Sequence, residues 1–354
     1  MDVFTEKEIV ELISKHTGIS IHLVKRENYQ SNGLATQIDG DIQLYFADEL
    51  KIICKIQTKN FYEKLGARID PDKSKGILDL WLDAPHRMKN HHKKEAQIYA
   101  NITPAVKEYL PHFYGGYFDD YRSVILIKYI EDEDITNITN EEAAVDFLTS
   151  LHSLYYENIE LCRKTGTYIT SMHDYSDSKK VYLQLVECIE TNYAGIYDEY
   201  LCDAKIFAKN IEDIYTEIVN HGRTLCHGDF AHVNMKRANG GQLQIYDWET
   251  SCYINPEYDV IALLVRSKGN ITDEYILSVL KRYFFQSKIR TDVKNFQKCL
   301  LINLHMQFWY GYAWILPMLI GKEIRSSNGL LPEMDNLMHL FKFLKNNNLN
   351  MVLQ

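Results

Sequence analysis

Two short stretches in the third quarter of the sequence, LCHGDFAHVNM and QIYDWE, hold the residue types with the clearest chemical potential. Asp229 and Asn234 belong to the first stretch, and Asp247 belongs to the second. Phosphoryl transfer needs a carboxylate near the attacking hydroxyl and oxygen ligands for Mg²⁺, which neutralises charge on the phosphates. Asp229 can supply the first, and Asn234 with Asp247 the second, so this spacing predicts a phosphoryl-transfer centre.

The spacing alone is weak evidence, because Asp and Asn are also common in turns for conformational reasons. Its surroundings strengthen the prediction, since an apolar run at 243–246 leads directly into Asp247 and the N-terminal half contains a matching charge pair. Lys55 lies in the run IICKI, where a lysine on an otherwise buried strand is costly unless it is paired. Glu95, on the next predicted helix, offers the partner. The alternative to this ion pair is that Lys55 lies on an edge strand with its head in solvent and that residues 93–95 form a solvated helix face.

The pattern H-G-D-x-x-x-x-N, followed by an apolar run and D-W-E, resembles the aminoglycoside phosphotransferase and choline kinase superfamily. That superfamily has the bilobal protein-kinase-like fold. The resemblance therefore implies an α+β protein with an antiparallel β-sheet in the N-terminal lobe and a mostly α-helical C-terminal lobe. It also implies an ATP-dependent kinase in which Asp229 is the catalytic base or orients the acceptor hydroxyl, His227 orders the catalytic loop, and Asn234 and Asp247 hold Mg²⁺.

Two further segments resemble parts of the same superfamily. Glu95, in the segment KEAQIY, resembles the helix-borne acid of the family, which implies that it positions Lys55 on the ATP phosphates. The segment NPEYD resembles the family's D-P-x-x-D, so its last residue, Asp259, is expected to anchor the catalytic loop from below.

The nucleotide-binding loop is less distinct. Ser31, Asn32 and Gly33 lie where the family has a phosphate-binding loop and could offer N–H groups and small side chains, but a single glycine equally suits a plain hairpin turn. The predicted strand that ends near residue 129 lies where the family places the linker between lobes, so the backbone at Lys128 and Ile130 is expected to bind the adenine. Backbone contacts carry no sequence code for the base, and both ATP and GTP remain open as donors.

The acceptor is expected to be a small molecule. A protein kinase would show D-F-G and a closing A-P-E motif, whereas this chain has D-W-E and neither feature. The segment with Trp309 and Trp314 resembles the F-W-G-x-W helix of choline kinases, which implies a cation–π cage, although an aromatic core helix explains it equally well. With Glu249 as an acidic neighbour, this favours a cationic or polyhydroxylated acceptor, either an aminoglycoside-like antibiotic or a choline-like amino alcohol.

The elements that must position these residues follow from hydrophobic periodicity. A short helix is expected over 5–16, with Thr5 and Glu8 forming a capping box. Short β-branched runs predict strands over residues 19–24, 34–38, 42–46, 51–56 and 123–129. Helical spacing predicts helices over residues 89–100, 141–157, 181–191, 203–220, 273–285 and 293–316. We expect Asn140 to cap the second of these helices, an N-terminal nucleotide-binding lobe at 1–130, and a C-terminal catalytic and substrate-binding lobe at 131–354.

Bulk properties exclude several classes. A net charge of -9 and a pI of about 5.8 argue against nucleic-acid binding, which requires clustered Lys and Arg. The 7 cysteines show no disulfide or metal spacing and favour a reducing, cytoplasmic compartment, and the acidic N-terminus does not resemble a signal peptide. Residues 300–321 are apolar but are interrupted by polar residues, glycine and proline, so they predict a buried helix and not a membrane span.

Two classes of function remain open at this stage. The first is a phosphotransferase that acts on a small-molecule hydroxyl, and the second is a catalytically inactive kinase fold that binds nucleotide or serves as a regulatory module. The presence of the base, both metal ligands and Lys55 speaks against the second. The sequence indicates neither the oligomeric state nor whether the role is antibiotic resistance or metabolism.

Overall fold

The computed structural model of the chain describes residues 4–19, 24–28, 41–47, 50–58, 91–119, 122–131, 139–192, 195–238, 241–267, 269–311, 330–349 and 353. Within these ranges an antiparallel sheet comes first and a mostly helical part follows, which confirms the predicted α+β class.

The N-terminal sheet has five strands. They are β1 (Val24–Asn28), β2 (Asp41–Ala47), β3 (Leu50–Thr58), β4 (Phe113–Phe118) and β5 (Arg122–Lys128). The order is β1-β2-β3-β5-β4, and all neighbouring strands are antiparallel. Among the described residues three helices accompany the sheet, namely α1 (Glu6–Thr17), α2 (His91–Asn101) and the short α3 (Pro104–Lys107).

The alternation of side chains along β3 decides which of its residues face the rest of the protein. Ile52, Cys54 and Ile56 pack in a small cluster with residues of α1 on one face of the sheet. Ile53 belongs instead to the main core. Lys55 has the same parity as Ile53, so its side chain leaves the sheet on the face that meets α2 and the C-terminal part.

The predicted N-terminal elements agree with this sheet in most places. α1 begins with the expected capping box, in which the Thr5 side chain accepts from the Glu8 N–H and the Glu8 carboxylate accepts from the Thr5 N–H. The predictions for 42–46 and 51–56 correspond to β2 and β3. Residues 20–23 and 34–38 lie outside the described residues, and Val24, at the end of the predicted strand 19–24, is the first residue of β1.

The edge strand β4 was not predicted from the sequence. Its segment FYGGYF contains Gly115 and Gly116, which lower strand propensity. Pairing with β5 nevertheless holds it in the sheet, with a register shift between Phe113 and Gly115. Gly115 has a φ of +154°, and a Cβ there would lie 2.1 Å from the His16 ring, so α1 packs directly on this glycine.

The C-terminal part is built from helices around short strands. The helices in its described ranges are α4 (Thr139–Tyr155), α5 (Ile159–Lys164), α6 (Met172–Asn192), α7 (Asp198–Lys209), α8 (Ile211–Asn220), α9 (Glu257–Val265), α10 (Asp273–Ser287), α11 (Val293–Gly311) and α12 (Leu330–Asn346). Strands β6 (Tyr168–Ile169), β7 (Thr224–Cys226) and β10 (Cys252–Ile254) form one sheet, and β8 (Met235–Arg237) pairs with β9 (Leu243–Ile245). Every residue of α9 is buried, and the helix packs against α4, α10, α11 and α12.

Three helix predictions need correction. The helix expected over 203–220 is two helices, α7 and α8, because the backbone at Asn210 leaves the helical region. The helix expected over 181–191 is longer and begins at Met172. α4 begins at Thr139, so Asn140 lies inside the helix and is not its cap.

The sheet ends at Lys128, close to the boundary expected after residue 130, and the division into lobes at that position stays a prediction. Among the described residues, no helix is long and apolar enough to cross a membrane. The last residues of the helix predicted over 293–316 lie outside the described ranges.

A buried ion pair holds the start of α9. Arg290 Nε donates to Glu257 Oε1 at 2.8 Å and Arg290 Nη2 donates to Glu257 Oε2 at 3.1 Å, with side chains 4% and 0% exposed. Removal of one partner of such a pair leaves an uncompensated charge, so Glu257→Gln is expected to lower the free energy of unfolding by about 3 kcal/mol. Urea denaturation followed by circular dichroism measures this loss.

The double variant Glu257→Leu/Arg290→Met is the matched control, because it removes both charges and should recover roughly half of the loss. A Glu257→Gln variant as stable as the unmodified chain would show that the pair does not hold α9.

Candidate active site

The site is organised around the ammonium group of Lys55. Its Nζ lies 2.6 Å from Glu95 Oε2 and 2.6 Å from Asp247 Oδ1. Glu95 comes from α2 and Asp247 from the turn after β9, so one lysine joins the N-terminal sheet to the C-terminal part. Lys55 is 12% exposed and Glu95 0%, and Lys94 is also buried. The expected ion pair is present, and the alternative of a solvated helix face is wrong for Lys94 and Glu95.

Burial and charge act in opposite directions on this group. Burial alone would lower the pKa of Lys55, but the Asp247 and Glu95 carboxylates outweigh it and raise that pKa above its ordinary value. Burial likewise works against the charged form of Asp247, yet Lys55 holds the pKa of Asp247 below its ordinary value. Tyr99 completes the arrangement, because its hydroxyl donates to Glu95 Oε1 at 3.0 Å and accepts the Asp247 N–H at 3.2 Å.

The backbone at Asp247 adopts an uncommon conformation, with φ 69° and ψ 53°. This left-handed region is costly for most residues and is tolerated best by Asn and Asp. It turns the chain from β9 into the 3₁₀ turn Trp248–Thr250. The Trp248 indole is fully buried, donates to the Ile245 carbonyl at 3.2 Å and lies 4.6 Å from the His227 ring, centroid to centroid. Trp248 therefore packs the stretch around Asp247 against the stretch that contains His227.

Asp229 and Asn234 form the second half of the site. Asn234 Nδ2 donates to Asp229 Oδ2 at 2.9 Å and to the Asp229 carbonyl at 2.8 Å. The Asn234 carbonyl accepts the Tyr246 N–H at 3.0 Å, in continuation of the β8–β9 hairpin, and this register brings Asn234 beside the residue that precedes Asp247. The amide nitrogen of Asn234 bonds to Asp229, which leaves the amide oxygen as the atom that could bind a cation.

Both ring nitrogens of His227 contact backbone groups of the site. Its Nε2 donates to the Tyr246 carbonyl at 2.9 Å, and its Nδ1 accepts the Asp229 N–H at 3.3 Å. Both contacts suit the neutral ring, and burial lowers the pKa of His227. Gly228 has a φ of +87°, and a Cβ there would lie 2.2 Å from the Thr250 carbonyl oxygen, so only glycine fits between the two stretches.

Asp259 anchors the loop from below, as expected. Its Oδ2 accepts the His227 N–H at 2.7 Å and its Oδ1 accepts the Gly228 N–H at 3.0 Å. Sequence reasoning missed the next layer, in which His152 of α4 lies 3.3 Å from Asp259 Oδ2 through Nε2 and 2.8 Å from the Tyr283 hydroxyl through Nδ1. The only signal was a histidine on the buried face of an amphipathic helix, which is usually a packing residue.

Cys226 lies with His152 and Asp259, and one ligand atom from each falls within 4.8 Å of the others. Such a cluster can hold a metal in principle. Here the polar atoms of His152 and Asp259 already bond to Tyr283 and to the loop backbone, and burial raises the pKa of the Cys226 thiol. These residues therefore stabilise the loop.

A different group fits a cation. The carboxylates of Glu95, Asp247 and Glu249 lie within 4.8 Å of one another. They present the hard oxygen donors that Mg²⁺ prefers. Burial, and then the charge of Asp247, raise the pKa of Glu249 to about 7, while Lys55 and Lys94 oppose this rise. The three carboxylates outnumber these two lysines, so the group has an excess of negative charge that attracts a cation.

Arg266 is a site residue that sequence reasoning missed. Its Nη1 forms an ion pair with Asp229 Oδ1, and its Nε lies 3.7 Å from Glu333 Oε1 on α12. Arg266 follows the last residue of α9, whose first turn carries Asp259, so one buried helix holds the catalytic loop at two points. An arginine at a helix C-terminus is commonly explained by the helix dipole alone, which hid this contact.

The remaining predicted residues are placed as follows. Ser31, Asn32, Gly33 and Trp314 lie outside the described residues. The Lys128 N–H donates to the His112 carbonyl at 2.8 Å. If the Lys128 backbone binds the adenine, the Lys128 carbonyl would therefore make that contact. Ile130 follows two residues later and is partly exposed. Glu249 lies with Asp247, one of the two predicted metal ligands, and with Glu95.

Trp309 lies inside the core. It is 1% exposed, and its ring stacks on Tyr182 with centroids 4.0 Å apart. Further aromatic rings pack around this pair, from Tyr200, Phe207, His305 and Phe308. Of the two interpretations of this helix, the surroundings of Trp309 favour the aromatic core, and a cage that includes Trp314 stays a prediction.

The sequence model of the phosphotransferase enzyme family matches residues 93–292, which is 200 of the 354 residues. The chain belongs to the phosphotransferase enzyme family. The matched segment runs from α2 to the residues after α10 and includes Glu95, Asp229, Asn234 and Asp247. No curated protein sequence matches this phosphotransferase.

Solved structures share its fold at low sequence identity. Choline kinase LicA from Streptococcus pneumoniae has a TM-score of 0.52 and 19% identity, over 97% of this chain and 99% of that one. Spectinomycin phosphotransferase APH(9)-Ia, in complex with ADP and spectinomycin, has a TM-score of 0.52 and 12% identity, over 99% and 98%. The GDP and kanamycin complex of APH(2")-IIia has a TM-score of 0.53 and 15% identity, over 97% and 100%. These likenesses confirm the bilobal kinase-like fold.

The raised pKa of Glu249 predicts a pH-dependent stability. The carboxyl group titrates near its ordinary value of 4.5 in the unfolded chain and near 7 in the folded chain. The stability that protonated Glu249 contributes is present below pH 4.5 and is lost as the pH rises through about 7. Glu249→Gln, which stays neutral, should match the unmodified chain at low pH and exceed its unfolding free energy by about 3 kcal/mol at alkaline pH.

Chemical denaturation in metal-free buffer on both sides of this pH range measures that difference. Glu212→Gln, on the exposed face of α8, is the control and should show no such pH dependence. A difference between Glu249→Gln and the unmodified chain that does not change with pH would contradict the titration of Glu249.

Proposed function

We propose that this protein transfers the γ-phosphate of ATP to a hydroxyl of a small molecule, with Asp229 as the base and Mg²⁺ held by Asn234 and Asp247. The observation that supports this most is the position of Lys55, 2.6 Å from both Glu95 and Asp247. In kinases a lysine held by a helix-borne glutamate binds the nucleotide phosphates. Here that lysine also lies beside the predicted metal ligand, so the phosphates and the cation would meet at one point.

The residues divide the work as follows. Lys55 binds phosphate oxygens, and Glu95 with Tyr99 holds the lysine in place. Asn234 and Asp247 would hold Mg²⁺, which supplies charge neutralisation on the phosphates when bound. Asn234 also fixes the Asp229 carboxylate through Nδ2. The hydroxyl donates to Asp229, its oxygen bonds to the γ-phosphorus, the bond to the β–γ bridging oxygen breaks, and ADP leaves while the proton passes to Asp229.

The donor is ATP or GTP, since both predicted linker contacts come from backbone. Two of the similar structures hold nucleoside diphosphates, ADP in one and GDP in the other. Their low identity leaves the choice of base open for this chain, so both nucleotides belong in any assay.

The acceptor we propose is a hydroxylated cation, either a choline-like amino alcohol or an aminoglycoside-like compound. An acidic protein with carboxylates at Asp229, Glu249 and Glu333 around the site favours a positively charged partner over an anionic one. The alternative of an inactive nucleotide-binding module has less support, because such a module has no need of a base fixed beside a metal ligand.

Two isosteric variants separate the roles of the carboxylates. Mg²⁺-ATP should raise the melting temperature of the unmodified chain through binding linkage. Asp247→Asn should lose most of that rise, because it removes the charge of a metal ligand. Asp229→Asn should keep the rise and lose acceptor phosphorylation by about 10²- to 10⁴-fold, the usual worth of a general base. Differential scanning fluorimetry and a phosphorylation assay measure the two effects.

Asp213→Asn, on the exposed face of α8, is the control and should change neither quantity. Turnover by Asp229→Asn near that of the unmodified chain would exclude Asp229 as the base. Absence of a Mg²⁺-dependent rise with either ATP or GTP would favour the inactive module.

A panel of candidate acceptors tests the substrate class. Choline, ethanolamine, aminoglycosides, macrolides and neutral sugars are incubated with protein, Mg²⁺ and nucleotide, and mass spectrometry detects an added phosphate. We expect phosphorylation of a hydroxylated cation, and its loss in Asp229→Asn. Phosphorylation confined to neutral sugars would contradict the proposed charge preference and leave the proposed reaction in place.

A further inference from the structure

The two oxygens of the Asp229 carboxylate have different partners. Oδ2 accepts from Asn234 Nδ2 at 2.9 Å, whereas Oδ1 forms the ion pair with Arg266 Nη1. An acceptor hydroxyl must donate to this carboxylate before its oxygen attacks, and Oδ1 is the oxygen that Asn234 does not contact. Arg266 therefore competes with an acceptor hydroxyl for Oδ1.

A guanidinium in this position opposes base catalysis. While Arg266 Nη1 contacts Oδ1, a hydroxyl that approaches this oxygen must displace the guanidinium. Arg266 cannot accept the proton in place of Asp229, because its guanidinium stays protonated. The contact thus competes with the approach of any hydroxyl.

A second carboxylate lies ready to receive the arginine. Glu333 Oε1 is 3.7 Å from Arg266 Nε, and the side chains of Arg266, Glu333 and Asp229 are 21%, 26% and 28% exposed. Burial raises the pKa of Glu333 and Arg266 opposes that rise, so Glu333 gains from a closer approach of the guanidinium. Arg266 can leave Asp229 without the loss of a charged partner.

We propose that Arg266 is a specificity-determining residue, which covers Asp229 Oδ1 until an acceptor hydroxyl displaces it toward Glu333, and which thereby keeps water from acting as the acceptor. This inference rests on the proposed function, since it assigns the reaction at Asp229 to hydroxyl acceptors. A water molecule offers a single hydroxyl contact against an ion pair, whereas an acceptor brings binding energy from its other groups.

The reaction that Arg266 suppresses is hydrolysis. A water oxygen would bond to the γ-phosphorus, the bond to the β–γ bridging oxygen would break, and the proton would pass to Asp229 Oδ1 and then to solvent. The products would be ADP and inorganic phosphate. Control of this side reaction is useful to any kinase that meets its nucleotide before its acceptor.

Hydrolysis of Mg²⁺-ATP without any acceptor tests the inference, and it needs no knowledge of the acceptor. Arg266→Gln is expected to release phosphate about fivefold faster than the unmodified chain, as for the loss of an ion pair of ordinary strength. Arg266→Lys should keep the rate low, because an ammonium can still contact Oδ1. Addition of Asp229→Asn to Arg266→Gln should abolish the gain, since water then lacks its base.

Arg282→Gln is the matched control. Arg282 is 30% exposed and pairs with Asp146 and Glu142 on α4, so this variant removes an arginine of similar exposure and pairing from another surface. Its hydrolysis rate should equal that of the unmodified chain. Circular dichroism melts verify that each variant folds.

Glu333→Gln gives an independent measurement with the acceptor that the panel identifies. Loss of the second carboxylate should raise the acceptor KM about threefold with little change in kcat, because the displaced Arg266 loses its partner. An unchanged KM would overturn the role of Glu333 as the receiving group.

The inference is overturned if Arg266→Gln hydrolyses Mg²⁺-ATP no faster than the unmodified chain while it still binds the nucleotide. It is also overturned if the gain survives Asp229→Asn. Failure of the proposed function has a different signature, because the unmodified chain would then neither bind Mg²⁺-nucleotide nor phosphorylate any member of the panel.

Discussion

The charge of Lys55 is the interaction on which the rest of the site depends. A buried ammonium is costly in a strand of apolar residues, and the chain compensates this cost with carboxylates from two regions, Glu95 on α2 and Asp247 after β9. Lys55 can pair with both carboxylates only when the N-terminal sheet and the C-terminal part meet in one orientation. The same contact brings the predicted phosphate-binding and metal-binding groups together, so the stability of this contact and the chemistry of the site have one origin.

A second constraint comes from α9, which is buried along its whole length. Its first turn places Asp259 under the N–H groups of His227 and Gly228, and its end places Arg266 on Asp229. A helix packed on all sides has little freedom to shift, so Asp259 holds the loop from a rigid element, while the long Arg266 side chain keeps its own freedom at the other end. The layer below, with His152 bonded to Asp259, fixes the anchoring carboxylate in turn.

Much of the site could be predicted because its residues are recognisable from their immediate neighbours in the sequence. A lysine in an apolar strand, a helix-borne glutamate and the carboxylates of two conspicuous stretches are each visible within a few neighbours. His152 and Arg266 could not be found in this way, since a histidine on an apolar helix face and an arginine at a helix end have common explanations of their own. β4 escaped for a related reason, because Gly115 and Gly116 weaken the local strand signal and only the neighbouring β5 and α1 hold the segment in place.

The sequence by itself indicated the phosphotransferase family and the α+β architecture through motifs that resemble a known superfamily, and the family model and the fold confirm both. It also named candidate residues for the centre of the site, because residue type and short spacing are visible without the fold. The tertiary structure decided how those residues are engaged. It placed Glu249 with Asp247 and Glu95, buried Trp309 in an aromatic core, and set Arg266 between Asp229 and Glu333. These relations join positions far apart in the chain, and they arise from the packing of whole helices, which no short window of sequence encodes.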